Sequence, residues 1–244
     1  MEEYNNSNEE LTPQKPQSQT QDEIKEKVET ILNTAVEVIK DPVGFFSRMN
    51  KDGGFKDPLI FMVAMGVVTG CVRVILSVFG LGYATSFLGA LLSILVVPIF
   101  LAVIGFLAAA LFYIVWKIMG SKESYETSYR CIAYASAITP IIALVSPFPY
   151  IGAIAGNLWS MYVMVAASIS VHKIENKKAW LVFGVLCLVL CISAVKTERV
   201  AHDMEVEMER WEEDFGDMSP EEAGKLFGDF MKGVEQSNTE EAAK

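Results

Sequence analysis

Between Pro58 and Val195 apolar residues follow one another almost without interruption, and of the formal charges in that block all but Arg73 lie at or near the ends of apolar runs. A segment needs roughly 20 apolar residues to cross the hydrocarbon of a bilayer. Several stretches of the block reach that length, so the chain is expected to be integrated in a membrane as an all-α, five-span helical bundle with amphipathic helices before and after it.

The formal charge of −10 has a single address. Fifteen acidic and five basic residues from Glu198 onward carry all of it, and the remainder sums to zero. An acidic end on a neutral membrane block implies that this end faces a different environment. Nucleic acid is excluded as a partner because no basic stripe exists to neutralise phosphates. Cys71, Cys131, Cys187 and Cys191 all fall inside expected spans, which argues against a disulfide framework. Cys187 and Cys191 share a helix face at i and i+4, but with no His, Asp or Glu beside them they read as small packing residues, and no metal or other cofactor is expected.

Four regions follow from the pattern. Residues 1–21 are polar, rich in Gln, Asn and Glu, and are expected to be disordered. They contain no basic n-region leading into an apolar h-region and cleavage site, so no leader is expected to be removed. Residues 22–57 are amphipathic: Ile24, Val28, Ile31, Leu32, Ala35, Val36 and Ile39 recur every three or four positions. Asp41-Pro42 ends that helix, because proline disfavours helical geometry in the residue before it. Phe45, Phe46 and Arg48 then form an aromatic and cationic cluster ahead of Gly53-Gly54. The region suits a helix lying in the headgroups, with Arg48, Lys51 and Lys56 drawn to anionic lipid, and equally a helix docked on the bundle or on another subunit. Residues 58–195 form the membrane domain, and residues 196–244 an acidic helical tail.

Within the membrane domain the first span runs from about Pro58 to Phe79. Its Arg73 has no acidic partner in any span, and a cation at the bilayer centre costs about 2.5–3.5 kcal/mol on insertion scales. It is expected to reach a lipid phosphate; carbonyls, Asn157 or a tyrosine hydroxyl are the alternatives. Residues 81–119 are ambiguous. As a single helix they would be about 58 Å long, some twice the hydrocarbon thickness. The expectation is an interfacial or re-entrant piece over 85–97, a break at Pro98 and a span from Pro98 to Trp116, with two spans as the alternative. A third span, about Arg130 to Ser146, is preceded by Tyr125, Tyr129 and Arg130, which read with Tyr134 as an interfacial belt, Glu126 and Arg130 pairing at i and i+4. Pro147-Phe148-Pro149 leaves only a tight turn before a span over 150–171. Ala179 to Val195 completes the set. Gly66 and Gly70, and Gly152 and Gly156, are small residues four apart that let helix backbones approach.

The basic residues give an orientation. Those near the first span, in the second-to-third loop (Lys117, Lys122) and in the fourth-to-fifth loop (Lys173, Lys177, Lys178) share one side, so the N-terminus is expected in the cytoplasm and the tail outside or in a lumen. In the tail, Val200, Met204, Met208, Trp211 and Phe215 keep helical spacing. Ser219-Pro220-Glu221-Glu222 is a capping box for a second helix. His172 and His202 are the only histidines, and no nucleophile–base pair or phosphate-cradling glycine loop occurs, so an enzyme is not expected.

In Asp41-Pro42-Val43-Gly44-Phe45-Phe46, in Tyr125 to Ala135 leading toward Pro140, and in Asn157-Leu158-Trp159 through Lys178-Ala179, the chain resembles the YIP family, the Ypt/Rab-interacting membrane proteins, over about residues 41–195. The resemblance implies a five-span bundle with a cytoplasmic N-terminus. It also implies an adaptor role in vesicle traffic, which in eukaryotic relatives involves prenylated small GTPases. This chain lacks the Asp-Leu-Tyr-Gly-Pro tract of many such relatives and is similar to the prokaryotic branch, so a GTPase partner is expected only of a eukaryotic-like member, and a prokaryotic member would lie in the cell (inner) membrane. The functional expectation is a non-enzymatic scaffold or adaptor in contact with the bilayer and with itself or other membrane proteins. The competing reading is a small-solute transporter, which the helix breaks expected at Pro98 and Pro140 would permit.

Overall fold

The computed structural model describes residues 17–81 and 87–215, together with Glu222, Lys225 and Lys232. The described residues are helical and contain no strand: α1 Gln17–Lys40, α2 Pro42–Arg48, α3 Lys56–Val78, α4 Phe87–Met119, α5 Tyr125–Ala135, a 3-10 turn Ser136–Ile138, α6 Thr139–Val145, α7 Ile151–Ser170 and α8 Asn176–Phe215. Five helical segments among them are long and apolar enough to cross a membrane: Lys56–Val78, Leu88–Met119, Tyr125–Val145, Ile151–Ser170 and Asn176–Met208. Two units are distinguished, Met1–Cys191 and Ile192–Lys244.

In the first unit, α2 starts where Asp41 Oδ1 accepts the Gly44 N–H at 2.8 Å and Pro42 takes the first helical position, a place where its missing N–H costs nothing. The buried Phe46 of α2 belongs to a core cluster with Trp116, Val163 and Phe183, so α2 is built into the bundle through its packing on α7. From α1, Ala35 and Val38 are buried against Phe61, Met65 and Ala137. The same helix leaves Val28, Leu32 and Val36 exposed.

The largest helix–helix contact joins α3 and α4. A Cβ added to Gly66 would lie 2.5 Å from Pro98 Cα, and one added to Gly70 2.7 Å from Ile94 Cα, so the two backbones meet at these glycines. Pro98 sits inside α4, which runs unbroken from Phe87 to Met119; the expected re-entrant piece over 85–97 and the break at Pro98 are not present in the described residues, and neither is a second crossing. A proline is tolerated within a membrane helix when the neighbouring helix closes on the distorted turn, and here α3 does so. At 33 residues α4 is about 50 Å long, so it must tilt or extend beyond the hydrocarbon.

The true break lies in the third span. It starts at Tyr125, five residues before the expected Arg130, and is α5, the 3-10 turn and α6 in succession. Pro140 stands at the start of α6 and cannot donate a backbone hydrogen bond to the preceding turn, which tightens to 3-10. Ser136 Oγ donates to Ala133 O at 2.6 Å and Thr139 Oγ1 to Ser136 O at 2.9 Å, while Thr139 also meets Thr69 of α3 at 3.0 Å. The hydroxyls thus stitch the weak turn to itself and to α3.

In the second unit, α8 continues through Phe215, and Val200, Met204 and Met208 are exposed on it. The side chains of Trp211 and Phe215 lie outside the described residues, as does the capping box Ser219-Pro220-Glu221-Glu222 apart from Glu222.

Candidate functional site at the loop end of the bundle

Three loops, 49–55 between α2 and α3, 120–124 between α4 and α5, and 171–175 between α7 and α8, are tied to one another by buried polar groups. The helix that organises them is α5. Ser124 caps it, its Oγ accepting the Thr127 N–H at 3.1 Å, and the first two turns then carry Glu126 and Arg130 on the side facing loop 49–55. Arg130 is buried and donates from Nε to Asn50 O at 2.7 Å and from Nη1 to Gly54 O at 3.0 Å. Glu126 Oε1 accepts the Gly54 N–H at 2.6 Å. The expected Glu126–Arg130 pair is therefore absent among the described residues: each group instead grips the same loop, whose Gly53 and Gly54 supply φ values of +123° and +80° that other residues rarely adopt.

Lys51 completes the clamp. Its Nζ pairs with Glu123 Oε1 at 2.7 Å and donates to Val171 O at 3.3 Å, linking all three loops. Lys178 Nζ caps the end of α4 by donating to Met119 O at 2.7 Å. Arg48 pairs with Glu37 of α1. Of the three cations ahead of the first span that were expected to meet anionic lipid, Arg48 and Lys51 are engaged by protein groups and Lys56 is not.

Behind the clamp lies a network that sequence reasoning missed. His172 is buried and stacks on Trp116, with ring centroids 3.9 Å apart and planes 20° from parallel. Its Nδ1 is 2.8 Å from Ser121 Oγ and its Nε2 3.8 Å from Cys131 Sγ, while Trp116 Nε1 donates to Ser168 Oγ at 2.7 Å. Burial, reinforced by Lys51 and then Lys117, lowers the His172 pKa from 6.5 to about 3, so the ring is neutral at physiological pH. A Cys–His pair invites a catalytic reading, but Cys131 and His172 line none of the described cavities and a neutral, buried imidazole with so low a pKa is a poor base. The only hint in the sequence was the coincidence of Ser121, Ser168 and His172 with span ends.

The remaining site candidates separate. Phe46 is core, Tyr129 is fully buried and stacked on Phe106 at 4.3 Å, and Arg130 is in the clamp, so these three touch protein where lipid anchors were expected. The helical pattern that suggested an interfacial belt was that of residues facing the bundle interior. Phe45 is half-buried against Tyr134 at 5.2 Å, and Tyr125 donates its hydroxyl to Phe106 O at 3.0 Å. Arg73 is exposed on α3 with no hydrogen bond or ion pair among the described residues. Gly152 lies in the first turn of α7, where a Cβ would clash with Val145 O, and Gly156 faces Ile142. The Cys187 and Cys191 sulfurs are 3.9 Å apart, and no group of metal-ligating side chains occurs among the described residues.

Two cavities flank α3. One, of about 470 Å³, lies between α1 and the start of α3 and is lined by both charged and apolar side chains. The other, of about 250 Å³, lies between α3, α4, the third span and α7 and is lined almost wholly by apolar groups; its Ser136, Thr139 and Ser160 hydroxyls donate to carbonyls of their own span.

The family model described as the Yip1 domain matches residues 36–196, well over half of the 244. No curated protein and no solved structure matches. The matched region starts inside α1 and ends inside α8, so it takes in α2, all three clamped loops and the whole His172 network.

Proposed function

The chain belongs to the Yip1-domain family of integral, multi-pass membrane proteins, and on that premise we propose that it is a non-enzymatic scaffold or adaptor in membrane organisation or trafficking, associating with itself or with other membrane proteins. One observation carries the reading. The ionisable side chains buried at the loop end, Arg130 and His172, and the partly buried Lys51, Glu123 and Glu126, are all engaged in fixing loops. None is left facing the apolar cavity between the spans. A coupled transporter or membrane enzyme keeps ionisable groups along its path, whereas a scaffold needs a rigid frame and an outward surface. The exposed Val28, Leu32 and Val36 of α1 supply such a surface on the amphipathic segment.

The experiment pairs two assays on purified protein in liposomes. Energy transfer between labelled copies is expected above the level of random mixing, and Leu32→Asp with Val36→Asp is expected to lower it. Saturable solute flux abolished by replacing Arg73 or Asn157 would overturn the scaffold reading in favour of a small-solute transporter. The orientation belongs to the same proposal: N-terminus in the cytoplasm, tail outside, in the cell membrane if the chain is prokaryotic. A GTPase partner belongs to it only if the chain is eukaryotic-like. A reporter active only outside the cytoplasm, fused after Lys244, is expected to be active; activity of a cytoplasmic reporter alone at that position would reverse the topology.

A further inference from the structure

Charges of both signs line the cavity between α1 and α3. Glu23, Glu26 and Lys27 come from α1, Lys56 and Asp57 from the first turn of α3. Among the described residues Glu26, Lys27, Lys56 and Asp57 form no ion pair and no side-chain hydrogen bond. Lys51, Arg130 and Lys178 at this end of the bundle are engaged by protein groups, whereas Glu26, Lys27, Lys56 and Asp57 border about 470 Å³ of space and call for a ligand carrying both signs.

Position narrows the ligand. Lys56 and Asp57 are the first residues of a membrane-crossing helix, so the cavity lies at the level of lipid headgroups. Its apolar wall, Ile31, Ile60, Phe61 and Tyr134, includes the next turn of that helix, with Ile60 about half exposed. A molecule that is charged at one end and apolar at the other matches this succession. Two carboxylates, Glu26 and Asp57, stand against two lysines, Lys27 and Lys56, a balance that suits a headgroup carrying both signs better than a purely anionic one, since like charge repels. A quaternary ammonium is taken up by cages of aromatic faces; here only Phe61 and Tyr134 line the space, and the Tyr134 ring already has the Arg130 guanidinium 5.9 Å from its centroid. Carboxylates instead accept hydrogen bonds from a primary ammonium.

We propose that this cavity binds the headgroup of a phospholipid bearing a primary ammonium: Lys27 and Lys56 take the phosphate, Glu26 and Asp57 the ammonium, and an acyl chain follows Ile60 and Phe61. The site holds α1 against the first span through a lipid, independently of any protein partner.

The test uses the full chain, delipidated in detergent and mixed with equimolar short-chain phosphatidylethanolamine and phosphatidylcholine, with bound lipid counted by native mass spectrometry. The ethanolamine lipid is expected to be preferred by about fivefold, the worth of one partly screened ion pair. The preference falls to parity in E26Q/D57N and persists in E29Q, whose residue lies on α1 outside the cavity. Equal binding of the two lipids by the unmutated chain overturns the proposal, as does a preference that survives E26Q/D57N. Free phosphoethanolamine at millimolar concentration, added to the unmutated chain, is expected to displace the lipid; binding of the free ester to a chain that ignores the diacyl lipid overturns the lipid as the source.

Discussion

Arg130 fixes a loop from inside the bundle. Its guanidinium makes two hydrogen bonds to backbone oxygens of one loop from a buried position, and bonds to charged groups are worth about 1.5–3 kcal/mol each. Arg130→Met is expected to lower the midpoint of thermal unfolding in detergent by several degrees and to expose 49–55 to limited proteolysis; a cleavage pattern identical to that of the unmutated chain would refute the clamp. His172 carries the pH dependence. Its folded pKa, about 3, lies below the ordinary 6.5, so the unfolded chain binds the extra proton between these values. Stability is therefore complete above pH 6.5 and falls as pH drops toward 3, by up to ~1.4 kcal/mol per unit. His172→Gln is expected to flatten that part of the stability–pH curve. At Arg73 the expectation is a held lipid phosphate: Arg73→Leu should reduce co-purifying phospholipid, and unchanged lipid content and stability would defeat it. Gly66→Ala should destabilise by about 1–3 kcal/mol, since its Cβ would press on Pro98 backbone, whereas Gly184→Ala, with nothing within 4 Å, should be neutral or slightly stabilising.

Among elements, α4 was the hardest to read and α2 the most deceptive. The sequence of α4 is apolar on every side and offers no phase from which an end or a bend can be inferred; its Pro98 alone suggests a break, and lipid and a close neighbour suppress that effect. With α4 continuous, Leu81 and Lys122 flank a single crossing. Leu81→Cys and Lys122→Cys are expected to react with an impermeant maleimide from opposite sides of a sealed vesicle, and labelling from the same side would restore a re-entrant segment. For α2, the break at Asp41-Pro42 and the aromatic pair were legible, but the Asp41 cap was not, nor was which of Phe45 and Phe46 would be buried, because that depends on α7, more than a hundred residues away. The clamp was half legible for the same reason: Glu126 and Arg130 were visible as a helical pair, while their real partner was a distant loop backbone, which carries no side-chain signature.

For the whole molecule, the membrane block and the span count were readable because lipid imposes length and polarity on a sequence, and the family through its resemblance at Asp41-Pro42, Tyr125 to Ala135 and Asn157-Leu158-Trp159. What escaped was the polar interior at the loop end, assembled from short-range polar residues on separate helices. Its contacts have long separations, 80 residues for Arg130 to Asn50 and 120 for Lys51 to Val171. A chain begins synthesis from the N-terminus at about 5–20 residues per second. The loop ahead of the first span therefore waits about 4–16 s for Arg130 to be made, and Lys51 waits longer still for Val171. During that interval α1 and α2 have left the ribosome without the helices they pack on, a period in which an insertion factor or the bilayer surface must shelter their apolar faces.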